Sequence, residues 1–141
     1  MLLKEERMDQ LILAGLTLLV VDDNRDSREM LQVALEGEGA EVSIVGSVQE
    51  AITSIQHQPP DLLISDIQMP DESGYHLIAQ VQKLELEKGI LLPAIAVTGF
   101  ARPEDRDACL AAGFCCHLTK PVDLAELVTV IAQSIGRSVS A

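Results

Sequence analysis

Five short apolar runs, each followed by a segment of helical period, constrain this chain more than any other feature of its sequence. The runs are Thr17–Val21 (TLLVV), Glu41–Val45 (EVSIV), Leu62–Ser65 (LLIS), Ala94–Val97 (AIAV) and Cys115–Leu118 (CCHL). Continuous apolar runs of this length fit strands buried on both faces. Between them lie apolar stripes that recur every three or four residues. Met30, Leu31, Ala34 and Leu35 make the first, with Gly37 and Gly39 as stop signals. The second helix opens with Ser47-Val48-Gln49-Glu50, a capping-box pattern that satisfies two free backbone N–H groups. Its stripe is Val48, Ala51, Ile52 and Ile55, and Pro59-Pro60 prevents continuation. A third helix is expected from near Tyr75, carrying Leu77, Ile78 and Val81, through Lys83–Lys88 to a stop at Gly89. The fourth has Pro103 in its first turn and Gly113 at its end. The fifth starts at Asp123, with Leu124, Leu127, Val128, Ile131 and Ile135 on one face.

Strands alternating with helices imply an α/β fold: a parallel sheet covered on both faces by right-handed crossovers. A length of 141 residues suits one such domain and leaves little room for a second. The domain is expected to run from residue 16 to 141. Residues 1–15 stand outside the rhythm, as an extra helix or as linker from a longer parent protein. The net charge of −12 argues against nucleic-acid binding, since a phosphate backbone would be repelled. Aromatics at 2% supply no stacking platform for single strands either. No apolar run is long enough to span a membrane, and the early charges of MLLKEERMDQ break any signal-peptide core. Three cysteines, Cys109, Cys115 and Cys116, then point to reduced thiols in a cytoplasmic protein.

In an open parallel sheet, ligands bind beyond the carboxyl ends of the strands, where strand order reverses. Run one is followed by Asp22-Asp23, run three by Asp66, run four by Thr98, and run five by Lys120-Pro121. Three carboxylates, a hydroxyl and an ammonium would therefore meet at one edge. Carboxylates so close raise each other's pKa unless a cation compensates. Mg²⁺ suits the set, because it takes one or two carboxylates and leaves places for phosphate oxygens. Such a site stabilises a transferring phosphoryl group, with a carboxylate as nucleophile. Acidic residues at strand ends also serve as turn formers and helix caps, so the weight rests on all four strand ends together.

These residues resemble the response-regulator receiver family. The matching pieces are LLVVDDN at Leu18–Asn24, LLISDIQMPDESGY at Leu62–Tyr75, AIAVTGFA at Ala94–Ala101, AAGF at Ala111–Phe114 and LTKPVD at Leu118–Asp123. The resemblance implies a doubly wound, flavodoxin-like (βα)5 fold with strand order 2-1-3-4-5. It makes Asp66 the phosphoacceptor, with Asp23 and Asp66 as direct Mg²⁺ ligands. Asp22 would act mostly through water, and the Gln68 backbone carbonyl would be a further ligand. Lys120 would contact the phosphoryl group, and Thr98 would move toward it and report phosphorylation. A cis Lys120–Pro121 bond, common in the family, would aim the lysine into the site.

One position departs from the pattern. Many receivers carry Tyr or Phe three residues before the lysine, where this chain has His117. Histidine can rotate and hydrogen-bond, but it is smaller and titrates near neutral pH. A switching role for His117 and a partly exposed strand histidine both stay open. Gln68 and Phe100, two residues beyond Asp66 and Thr98, would face the attacking water, and Phe100 would shield the acyl phosphate. The cysteines with His117 could be drawn as a zinc site. Adjacent strand residues point to opposite faces, however, so buried inert thiols are the expectation. His57 and His76 are expected at the surface.

The expected function is therefore a switch that catalyses its own phosphorylation and dephosphorylation, and is otherwise not an enzyme. A histidine kinase, in the same parent protein or separate, or a histidine phosphotransfer domain would donate. The face made by helix four, strand five and helix five would change and engage a downstream protein effector, or a second copy of the chain. The competing reading is a haloacid dehalogenase-like phosphohydrolase, which needs a D-x-D spacing that Asp22-Asp23-Asn24 lacks. A receiver fold kept only for binding would be expected to have lost an acidic residue or the lysine.

Overall fold

The computed structural model describes residues 11–70, 72–99 and 102–136. Its strands are β1 (Thr17–Val21), β2 (Glu41–Val45), β3 (Leu62–Asp66), β4 (Ala94–Thr98) and β5 (Cys116–Thr119). Between and after them run α1 (Arg25–Glu36), α2 (Val48–His57), α3 (Gly74–Lys88), α4 (Pro103–Ala112) and α5 (Leu124–Ser134). All four strand pairings are parallel, and the sheet order is β2-β1-β3-β4-β5. The expected α/β fold and strand order are thus observed.

Each face of the sheet has its own core. On one face α2, α3 and α4 bury Val48, Ala51, Ile55, Leu77, Val81 and Cys109 against Leu19, Leu63 and Ala96. On the other, α1 and α5 bury Leu31, Leu35, Leu127 and Ile131 against Leu18, Val20, Ile64, Ile95 and Val97. The alternation of β-strand side chains divides each run between these two cores. Leu13 is fully buried in the second core, and its N–H donates to the Glu38 carbonyl at 3.0 Å.

Four of the five helices open on a side-chain cap. Asn24, Ser47, Ser73 and Asp123 each accept a hydrogen bond from a backbone N–H three residues on. At α2 the Ser47 hydroxyl also donates to Glu50 Oε1 at 3.2 Å, so that box closes between side chains. Gly89 ends α3 with φ +65°, a left-handed conformation that a residue without Cβ adopts freely.

Three expectations need correction. Only β1, β3 and β4, the central strands, are buried nearly throughout; β2 and β5 are half exposed. They are the edges, with one strand neighbour each, and EVSIV already alternates. Met30, expected on the first apolar stripe, is 54% exposed. It lies one helical step from Leu31, off the buried i, i+4 line of Leu31 and Leu35. Cys109 is buried, but Cys115 is exposed and Cys116 half-buried, because they lie just before and at the start of an edge strand.

Candidate functional site

The sheet order reverses between β1 and β3, and the acidic residues lie where these two strands end. Asp22 follows β1 and is 2% exposed, while Asp23 beside it is exposed. Asp66 closes β3 at 7% exposure. One oxygen from each of the three carboxylates lies within 4.8 Å of the others. Lys120, just past β5, reaches over with Nζ 2.9 Å from Asp22 Oδ2 and 3.0 Å from Asp66 Oδ2. The Lys120–Pro121 peptide bond is cis. Lys120 N–H donates to the Thr98 carbonyl at 2.8 Å, tying the ends of β4 and β5 together.

Each buried carboxylate also takes a backbone donor. Asn24 N–H donates to Asp22 Oδ1 at 2.9 Å, and Gln68 N–H to Asp66 Oδ1 at 3.1 Å. Even so, burial pushes the Asp66 carboxyl above the ordinary carboxylate range. The hydrogen bond and charge of Lys120 pull it back, and the Asp22 charge pushes it further up. Burial disfavours the Lys120 ammonium too, but the hydrogen bonds and charges of Asp22 and Asp66 outweigh it, so its pKa is raised. Two buried carboxylates share one ammonium, and an exposed third lies beside them. The cluster therefore carries excess negative charge and oxygen donors only, which fits a hard divalent cation and suits no thiophilic metal.

Asp22, Asp23, Asp66 and Lys120 thus come together as the strand-end argument required. Thr98 is buried at the end of β4, paired in register with Thr119. His117 is half-buried on β5 opposite Ala96, so it shares a sheet face with Thr98 one pleat away. Gln68 is exposed. His57 and His76 are at the surface. Phe100 and its shielding role lie outside the described residues.

Three supporting residues escaped the sequence reading. Ser65, fully buried, donates its hydroxyl to the Asp66 carbonyl at 2.8 Å. Arg28 Nη1 bonds the carbonyls of Asp22 at 3.1 Å and Asp23 at 3.4 Å. Gly74 packs so close to β3 that a Cβ there would sit 2.5 Å from the Asp66 carbonyl oxygen. All three act on backbone atoms of the acidic residues, and no side-chain pattern announces that.

A doubly wound parallel sheet with an acidic cluster and a lysine at its switch point is an open α/β domain with its ligand site where such sheets place it. The family model for the response regulator receiver domain matches residues 18–132, and the chain belongs to that family. It is a receiver domain of two-component signalling. A 14.6 kDa protein in the sodA1 3′ region of Leptolyngbya boryana is 47% identical over 121 residues, covering 86% of this chain and 91% of that one. Sensor histidine kinase GacS of Pseudomonas protegens is 34% identical over 119 residues, 84% of this chain but 13% of the kinase. The crystal structure of a CheY-like receiver domain protein from Methanospirillum hungatei superposes with TM-score 0.76 at 30% identity, covering 87% of this chain and 94% of that one. Vibrio cholerae CheY4 gives TM-score 0.77 at 27% identity over 86% and 98%. None of the described helices is long and apolar enough to cross a membrane.

Proposed function

We propose that Asp66 accepts a phosphoryl group from the phosphohistidine of a histidine kinase or histidine phosphotransfer domain. Asp22, Asp23, Asp66 and the Gln68 carbonyl would hold Mg²⁺ for this step. The observation that carries the reading is the shared pairing of Lys120 with Asp22 and Asp66, with Asp23 in reach of the same point.

In the transfer, the P–N bond of the donor imidazole breaks as a bond forms between phosphorus and an Asp66 carboxylate oxygen. When bound, Mg²⁺ neutralises charge on the phosphoryl oxygens. Gln68 N–H fixes the carboxylate orientation through Oδ1. Lys120 stays charged, since its pKa is raised, and shifts from the carboxylates toward a phosphoryl oxygen. The Thr98 hydroxyl follows the new oxygens, and β5 responds through the Lys120–Thr98 backbone link. His117 is the side chain on β5 that would carry the change to the face of α4, β5 and α5, where a downstream effector or a second copy docks in the cytoplasm. The same site would catalyse hydrolysis of the acyl phosphate, which makes the domain a self-resetting switch.

Calorimetric titration with Mg²⁺ checks the metal half. Wild type is expected to bind one ion, and Asp23→Asn to bind it more than about tenfold more weakly, as loss of even a residue supporting a metal ligand can cost that much. Transfer is checked with a kinase carrying labelled phosphohistidine. Label should reach the wild type and not Asp66→Asn; label on the variant would overturn the assignment.

A further inference from the structure

We infer that Arg28 is a positioning residue for the acidic site, that Gly46 exists to make room for it, and that together they set how tightly the site holds a divalent cation. The inference rests on the reading of Asp22 and Asp23 as cation ligands. Arg28 lies in the second turn of α1, half-buried, and one guanidinium nitrogen, Nη1, donates to the carbonyls of both Asp22 and Asp23. Those two residues form the turn between β1 and α1, and their carboxylates point into the cluster. With both carbonyls tied to one rigid group, the two peptide units keep a fixed orientation, and so do the Cα–Cβ bonds from which the carboxylates hang. A guanidinium suits this task because it is planar and always charged, and it places positive charge behind a site with too many negative ones.

Gly46 supplies the second observation. It follows β2, on the far side of the guanidinium from α1. A Cβ built on it would lie 2.8 Å from Arg28 Nη1, 3.4 Å from Cζ and 3.8 Å from Nη2, so its three nearest neighbours all belong to that guanidinium. Its φ lies outside the left-handed region, so an alanine there meets no backbone penalty. The need for glycine at 46 is thus a need for space at the very nitrogen that bonds the two carbonyls. Gly46→Ala is expected to push first on Arg28.

Mg²⁺ affinity measured by titration of the full chain tests this, with Arg28→Ala, Arg28→Lys, Gly46→Ala and the Arg28→Ala/Gly46→Ala pair. Loss of a residue that orients metal ligands is expected to weaken binding about tenfold or more. Arg28→Lys should recover only part of it, since an ammonium keeps the charge but lacks the flat fork. Gly46→Ala should weaken binding in the wild-type background and change nothing further once Arg28 is gone. Affinities within twofold of wild type in both Arg28 variants would overturn the inference, and so would an equal Gly46→Ala effect in both backgrounds. Wild type that binds no Mg²⁺ would sink the metal assignment and this inference together. Normal wild-type binding with unaffected variants would sink the inference alone.

Discussion

Replacing Lys120 by methionine is expected to destabilise the metal-free protein by roughly 2–3 kcal/mol at neutral pH, with most of the loss recovered by acid or by Mg²⁺. Among the described residues Lys120 is the one cation paired with both buried carboxylates, whose side chains are 4% and 8% exposed. Breaking a fully buried ion pair costs about 3–5 kcal/mol, because the remaining charge is stranded. The Lys120 side chain is 28% exposed, so solvent already screens part of the interaction and the lower figure applies. Methionine keeps much of the length and apolar character of the stem, which isolates the charge.

The pH dependence follows from the direction of two shifts. Asp66 has its pKa raised by burial, so the folded protein holds that proton more tightly than the unfolded chain. Ionising it costs the native state, and its contribution falls as pH rises past the ordinary carboxylate range. Without Lys120 that fall is steeper and extends to higher pH. Lys120 has its pKa raised by its carboxylate partners, so its contribution is complete below the ordinary lysine value and is lost as pH climbs through the raised one. Chemical denaturation of wild type and Lys120→Met between pH 4 and 8 should therefore diverge as pH increases. Parallel curves would mean that the ammonium does not compensate the carboxylates.

Gly74→Ala is expected to cost about 1–3 kcal/mol and to weaken Mg²⁺ binding with it, the usual range for overpacking a close contact. The added Cβ would meet the Asp66 carbonyl oxygen at 2.5 Å and Ile67 Cα at 3.0 Å. Both are backbone, at the end of a central strand, and neither can rotate away. Gly74 N–H also donates to the Ile67 carbonyl at 2.9 Å, so the two segments cannot part without losing that bond. An alanine elsewhere at a helix start would stabilise slightly. A shifted denaturation midpoint measured beside the Mg²⁺ titration checks both effects. A variant as stable as wild type would show that the β3–α3 junction yields.

The fold was legible because its signals are local and repeated. Val48, Ala51, Ile52 and Ile55 read as one helix face and are all buried. Leu62–Ser65 read as a buried strand, and it is one. The boundaries were less legible. Asp66 and Thr98 end β3 and β4 instead of following them, and β5 starts one residue later than the apolar run suggests. Strand ends are set by pairing with a neighbour, and no single segment carries that information. The acidic cluster was legible because parallel strands gather whatever follows them. That the Lys120 ammonium pairs with both Asp22 and Asp66 came only with the geometry. Arg28, Ser65 and Gly74 stayed hidden, since each meets a backbone oxygen of another segment and sequence spacing encodes no such contact.

Phosphoryl transfer to Asp66 beside a bound divalent cation, as proposed above, leaves a covalent mark on that residue. The most direct test is the intact mass of the protein after exposure to acetyl phosphate, followed by borohydride reduction and peptide mapping. With Mg²⁺ present, a gain of one phosphoryl group is predicted, and reduction should convert residue 66, and no other, to homoserine. Chelation of Mg²⁺ or Asp66→Asn should abolish both signals. A phosphoryl group mapped to another residue, or a wild type that binds Mg²⁺ yet takes no phosphoryl group from acetyl phosphate or from a phosphohistidine donor, would contradict the account.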